Sequence, residues 1–356
     1  MEQELGSPRF QTSRRAVLSL AGAWLIHGPM GGRAAAQNTA RALVPDPAWN
    51  CGMPEGIPSP ESGRLVFTIS MELADVFRIG KTPYGDRRVA VVRSGKVTGG
   101  KLAAEVMTGA LDLELTLSNG VIEIEQLTVL KAQDGKYIFL RAAGTGTGSG
   151  DVRVVMDFEA PNASDHAWLN SGKYVARRVL DEAAKTLTMR VYEVADVPAK
   201  TGSADVIRIV KPAGAPSQPW DARKKGSAEK PGRELITESV TLSPSQTVGA
   251  SKHGNRNIIP ITGGELKGRI TGKVLAGGAD YQNLSPPAII DARYLWRSDD
   301  GEVILIRNAG PFGALVPQFE ARTDGPHAWL NSGLFLSSNP SPSNGGVGIT
   351  MYESTS

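Results

Sequence analysis

The sequence is short of the residue types that announce a chemistry. One cysteine, Cys51, stands among 356 residues. That excludes an internal disulfide, a multi-cysteine zinc site and an iron–sulfur cluster. A buried, inert thiol is the expected state, with pairing between chains as the alternative. Histidine is nearly as scarce. Beyond the first forty residues only His166, His253 and His327 remain, and they show no paired ligand spacing, so no metal is expected. Neither sign of charge dominates: 39 Lys and Arg face 36 Asp and Glu, a net charge of +3. There is no electrostatic reason to expect nucleic acid or an anionic membrane as a partner. The apolar run Ala16 to Ile26 falls short of the roughly 20 residues that span a bilayer. No Gly-x-Ser-x-Gly elbow is present. The glycine run Gly144 to Gly150 lacks the lysine and following helix of a phosphate-binding loop, and reads as a flexible hairpin loop. No cofactor is implied.

What the chain does have is turn-forming residues. It holds 41 glycines and 23 prolines, well above the usual share of roughly 12%. Long helices are therefore expected to be few.

The first 36 residues read as an address. Ser13-Arg14-Arg15-Ala16-Val17-Leu18 opens a short apolar segment, and Ala34-Ala35-Ala36 supplies a small-residue cleavage pattern. The paired arginines resemble a twin-arginine export signal, although Val17 stands where an aromatic is usual and no lysine follows. The expected mature protein is periplasmic or secreted and carries no membrane insertion after cleavage. Residues 37–62 form an irregular leader.

The remainder repeats itself. His166-Ala167-Trp168-Leu169-Asn170-Ser171-Gly172 recurs as His327-Ala328-Trp329-Leu330-Asn331-Ser332-Gly333. Asp134-Gly135 and Arg141 through Gly144 correspond to Asp300-Gly301 and Arg307 through Gly310. Gly100-Lys101-Leu102 matches Gly268-Arg269-Ile270, and Asp112 matches Asp280. Two homologous units follow, at 63–195 and 235–354. Between them, 196–234 carries five prolines and Arg223-Lys224-Lys225, the composition of a linker. Within it, Val206 to Val210 could form an extra strand. The basic cluster is a solvated charge run or, less simply, an anion site.

Each unit alternates with period two. Val121-Ile122-Glu123-Ile124-Glu125 puts both isoleucines on one face and both glutamates on the other. Asp134-Gly135 and Asp300-Gly301 sit between strand-like runs, a hairpin signal. A chain of hairpins this size disposes of its edges as a sandwich or a closed barrel. The fold class expected is all-β: two tandem small antiparallel β-barrels. Asp291 and Arg293 share one face of the strand Ile289 to Trp296, opposite Ile290, Ala292, Tyr294 and Trp296. Alternation leaves two orientations open, a polar lumen suited to a ligand or a solvated ion pair.

The second unit, with Gly272 through Tyr281, Asp291-Ala292-Arg293-Tyr294, Asp299-Asp300-Gly301, Arg307-Asn308-Ala309-Gly310, Pro317-Gln318-Phe319-Glu320 and Ala328-Trp329-Leu330-Asn331, resembles the domain-of-unknown-function 3237 family, also called uncharacterised protein family 0311. The resemblance implies a small antiparallel β-barrel and no established reaction. The first unit resembles it in degenerate form, with Glu125, Leu127, Thr128 and Ala142 where the second has Asp291, Arg293, Tyr294 and Asn308. Any site is therefore expected in the second barrel. The candidates for acid–base chemistry are Asp280, Asp291 and Tyr294. Arg293 and Arg307 are candidates to hold an anion, with Asn308, Tyr281, Trp329 and Asn331 as further ligand contacts. Trp329 and Asn331 also read as a structural corner. The primary expectation is a binding protein for a small polar or aromatic molecule. Its rivals are a cofactor-independent isomerase, lyase or cyclase, and a structural module without ligand. Oligomeric state is left open.

Overall fold

Alternating apolar positions and glycine-rich turns give a fold of strands. The computed structural model describes residues 45, 48–53, 55–147, 150–194, 206–208, 211–215, 218–343 and 345–356. The export signal and its cleavage site lie outside the described residues. Among the described residues no helix is long and apolar enough to cross a membrane.

The leader and linker pair with each other: β1 (Ile57–Pro58) runs antiparallel to Val206–Ile207, which is β11. This is the extra strand open at 206–210. The first sheet comprises β2 (Arg64–Lys81), β3 (Asp86–Thr98), β4 (Ala104–Val106), β5 (Leu111–Thr116), β6 (Val121–Ala132), β7 (Tyr137–Thr147), β8 (Asp151–Glu159), β9 (Tyr174–Asp181) and β10 (Thr186–Glu193). Its order is β2-β10-β9-β8-β7-β6-β4-β3-β5, and β2 also pairs β3 while β6 pairs β5. Those pairings close the sheet on itself, leaving no free edge.

The second sheet comprises β12 (Lys230–Leu242), β13 (Gln246–Ser251), β14 (Gly254–Gly268), β15 (Gly272–Val274), β16 (Ala279–Asn283), β17 (Ile289–Ser298), β18 (Val303–Pro311), β19 (Val316–Glu320), β20 (Phe335–Ser337), β21 (Ser341–Ser343) and β22 (Gly346–Thr355). Its path runs β19-β18-β17-β15-β14-β12-β22-β20, with β16 bridging β14 and β17. It is barrel-like, with β19 and β20 at the two ends of the ladder. Near that seam the Ser337 N–H donates to the Leu315 carbonyl at 3.1 Å.

The hairpin turns behave as the Asp-Gly pairs require. Gly135 and Gly301 have φ of +82° and +92°, a region open to glycine at little cost. The glycine run is not simply a loop. Gly144 and Gly146 lie inside β7, and a Cβ on Gly144 would sit 2.0 Å from the Arg153 carbonyl. Glycine is needed there for close strand approach.

Each barrel has its own apolar interior. The first is lined by Ile69, Met71, Ile124, Leu140, Val154, Phe158 and neighbours. The second is lined by Ile236, Ile261, Tyr294, Trp296, Ile306, Phe319 and Phe335 among others. A third apolar cluster joins the outer faces. Val89, Leu111, Leu113, Leu127 and Phe139 of the first barrel pack on Ile258, Ala279, Tyr281, Leu295 and Leu305 of the second. The outward strand faces are thus buried as well. Glu123 and Glu125, expected on the polar face of β6, are on it, yet only 2% and 4% exposed.

Candidate functional site

The polar groups of the second unit fall on two different faces. On β16, Ala279 and Tyr281 pack into the seam between barrels, so Asp280 and Gln282 point to the barrel interior. Asp280 Oδ2 accepts from Gln282 Nε2 at 2.7 Å, and Oδ1 from the Asp291 backbone N–H at 3.3 Å. Neither donor is charged. Burial therefore prevails over these bonds and pushes the Asp280 pKa up to about 7, with the Asp291 charge adding to the rise.

A second inward carboxylate is Glu238 on β12, 3% exposed. It accepts from the Tyr294 hydroxyl at 2.5 Å and from Trp296 Nε1 at 2.9 Å. Burial raises its pKa to about 7 against those two bonds. Burial and the adjacent Glu238 raise that of Tyr294 well above the ordinary phenol. Asn308, on the inward face of β18, donates Nδ2 to Ser337 Oγ at 2.9 Å. Its buried Oδ1 accepts no bond among the described residues. Glu238 was not among the candidates read from sequence. Its signal was available: it stands between Ile236 and Val240 at an apolar-face position of β12, a buried polar residue in a period-two pattern.

The first barrel answers the same position differently. Asp112 on β5 faces Gln126 as Asp280 faces Ala292. Asp112 is fully buried against Arg178, Nε to Oδ2 at 3.0 Å. Arg178 also holds Glu114 at 2.9 Å, and Glu114 pairs with Arg88. Those interior charges are neutralised among themselves.

Asp291, Arg293, Arg307 and Tyr281 are on the other face. The two orientations open to Asp291 and Arg293, barrel lumen or bulk water, both give way to a third: they lie between the barrels, Arg293 buried and Asp291 partly so. Arg293, 3% exposed, donates Nη1 to Glu125 Oε2 of the first barrel at 2.6 Å. Asp291 receives Arg293 Nε at 3.1 Å and Arg307 Nε and Nη2 at 2.9 Å each. Burial alone would raise the Asp291 pKa; Arg293 and Arg307 outweigh it and hold the carboxyl far below its usual range. Glu125 is in the same position, lowered to about 2 because Arg293, Arg141 and Arg307 overcome its desolvation. Arg307 Nη1 reaches the Trp220 carbonyl at 2.6 Å, and Arg141 lies 4.0 Å over the Trp220 ring. Tyr281 donates its hydroxyl to the Gly109 carbonyl of the first barrel at 2.5 Å.

Trp329 and Asn331 are at neither place. Asn331 Oδ1 accepts from the Ala321 N–H at 2.8 Å and Nδ2 donates to the Ala321 carbonyl at 2.9 Å. Asn170 makes the same two bonds to Ala160, at 2.8 and 3.0 Å. Trp329 is covered by Arg269 at 3.6 Å and packs edge-on to Phe335. This is the geometry of a corner. Among the described residues no group of three or more His, Cys, Asp or Glu is placed to hold a metal.

The family described as protein of unknown function, DUF3237, matches residues 62–156 and 233–314. Over these two stretches the chain is similar to that family. Both matched regions fall on the two sheets. A UPF0311 protein of Bradyrhizobium diazoefficiens is 46% identical over 78 residues, 21% of this chain and 51% of that protein. A UPF0311 protein of Rhodopseudomonas palustris is 42% identical over 79 residues, 21% of this chain and 52% of that protein. The chain spans about half the length of the curated relatives it matches. A β-barrel-like protein from Acinetobacter baumannii aligns at 22% identity with a TM-score of 0.34, covering 37% of this chain and 94% of that one. None of these three descriptions names a reaction.

Proposed function

We propose that the inner face of the second barrel binds a small polar or aromatic molecule, with Asp280, Glu238, Tyr294 and Asn308 as its polar contacts. One observation carries this reading. Asp280 keeps part of its surface accessible and pairs with no cation among the described residues, whereas Asp112 at the corresponding position is closed off by Arg178. A carboxyl in that setting is available to a ligand that reaches it. Near neutral pH it offers an O–H to a carbonyl or hydroxyl oxygen of a ligand. The Asn308 Oδ1 adds an acceptor without a bond of its own. Tyr294, Trp296 and Phe319 pack beside these groups in the barrel core.

A second reading is favoured by the acidity of Asp280. A carboxyl whose pKa is raised to about 7 is matched to general acid–base work at neutral pH. That suits a cofactor-independent isomerase, lyase or cyclase. The arginine clamp drops out of this version, because Arg293 and Arg307 are engaged by Asp291 and Glu125 outside the barrel. Delivery to the periplasm or the exterior is proposed on the leader sequence alone. It predicts a mature N-terminus at Gln37, checked by N-terminal sequencing of the exported product.

The test is a thermal-shift screen of small polar and aromatic metabolites against the whole chain. A true ligand raises the melting temperature saturably by mass action, and Asp280→Asn weakens that effect. If the compound is also consumed and Asp280→Asn stops turnover more than binding, the enzyme reading stands. Equal stabilisation of both proteins would remove Asp280 from the site.

A further inference from the structure

We propose a second ligand site, in the seam between the two barrels, built for a small monoanionic carboxylate with an apolar body. The site is a crevice of about 250 Å³, and side chains of both barrels line it. Its floor is apolar. Leu127 and Phe139 come from the first barrel and Tyr281 from the second, and the two rings lie 5.7 Å apart.

Its walls carry three arginines and three carboxylates, and the ion-pair partners behind them tip the cluster to positive. Arg141, Arg256 and Arg293 line it together with Asp157, Glu159 and Asp291. Their direct ion-pair partners are Glu125, Lys252 and Arg307. Five cations thus face four carboxylates, before His253 is counted at the mouth. The walls are not loose surface groups: Asp157, Glu159 and Arg293 are each less than a tenth exposed. A site with one excess positive charge and a desolvated arginine wall favours a monoanion. The apolar side chains at the floor favour an apolar body. Arg256 already lies 5.1 Å over the Phe139 ring, so its guanidinium is positioned above that floor.

The site needs both units. Arg141, Asp157 and Glu159 belong to the first barrel and Arg256, Asp291 and Arg293 to the second. The corresponding residue of the first unit to Arg293 is Leu127, which here forms the floor. One repeat has thus contributed a charge and the other a hydrophobic surface to the same crevice. It is separate from the inner face carrying Asp280, which lies on the opposite side of the β16 strand.

Benzoate is the probe, with neutral benzamide as its isosteric control, titrated into the full chain by calorimetry. Benzoate should bind saturably, and benzamide about tenfold more weakly or not at all. Arg256→Gln should weaken benzoate by about tenfold, and Leu127→Trp, which fills the crevice, should abolish binding. The His253 ring signals of the unmodified protein should move on titration, a readout independent of any variant's folding. Asp280→Asn should leave benzoate binding unchanged. Absence of saturable benzoate binding, equal binding of benzamide, survival of binding in Leu127→Trp, or its loss in Asp280→Asn would each overturn the proposal.

Discussion

Arg293 of the second barrel donates Nη1 to Glu125 Oε2 of the first at 2.6 Å, and both side chains are about 95% buried or more. This pair ties the two units at a point where neither charge meets water. Removing one member of such a pair leaves the other buried and uncompensated, at a cost of about 3–5 kcal/mol. Glu125→Gln and Arg293→Gln should each lower unfolding stability by that order in a urea titration. Because the partner is then missing, the double variant should cost clearly less than the sum of the two. Additive losses would mean the two groups do not interact in solution.

Stability should respond to pH in two opposed ways. Glu238 and Asp280 have folded pKa values raised to about 7 from ordinary values of 4.5 and 3.8. The folded state binds the extra protons between those limits. Their contribution is therefore full below the ordinary values and is lost as pH rises through about 7. Glu125 is the reverse, held at about 2 against 4.5; its contribution is present above 4.5 and lost as pH falls toward 2. Glu238→Gln mimics the protonated acid, with one oxygen for Trp296 and an N–H for the Tyr294 oxygen. It should flatten the decline between pH 4 and 7 and leave the variant more stable than the parent at pH 8, by about 1–3 kcal/mol. Chemical denaturation across pH reads this directly. A parent profile that rises from pH 5 to 8 would contradict it.

The asparagine corners should be purely structural and equivalent. Asn331→Ala leaves the Ala321 amide and carbonyl without their partner, as Asn170→Ala does at Ala160. Each should destabilise by about 1–3 kcal/mol, and neither should change the affinity of a compound bound by the second barrel. A selective affinity loss in Asn331→Ala would return that residue to the ligand site.

Cys51 is 1% exposed, with Sγ 3.1 Å from the Ala143 carbonyl. It should resist a thiol reagent in native buffer and react fully in denaturant. Rapid native labelling would place it at an accessible surface.

Much of the fold is legible in the sequence. The repeated His-Ala-Trp-Leu-Asn-Ser-Gly marks the two corners, the Asp-Gly pairs mark hairpin turns, and alternation in Val121 to Glu125 assigns the faces of β6. The site was legible only in part. Period two tells which residues share a face and not which face is inside. On β17 both faces are buried, one by the barrel core and one by the neighbouring barrel, so Asp291 and Arg293 could not be assigned from alternation. The mate of Arg293 is Glu125, 168 positions earlier, and no local pattern reveals such a pairing. Asp280 was found because the repeat flags Asp112 as its counterpart. Glu238 was missed because the first unit has no carboxylate to match it, although its position between Ile236 and Val240 was a usable clue.

The most direct test is a carbon-13 carboxyl titration of Asp280 and Glu238 in the intact protein. Midpoints close to 7 for both, moving when a barrel ligand is added, are the predicted result. Midpoints near 4 for both would mean that the second barrel holds no buried neutral acids, and the proposed site would go with them.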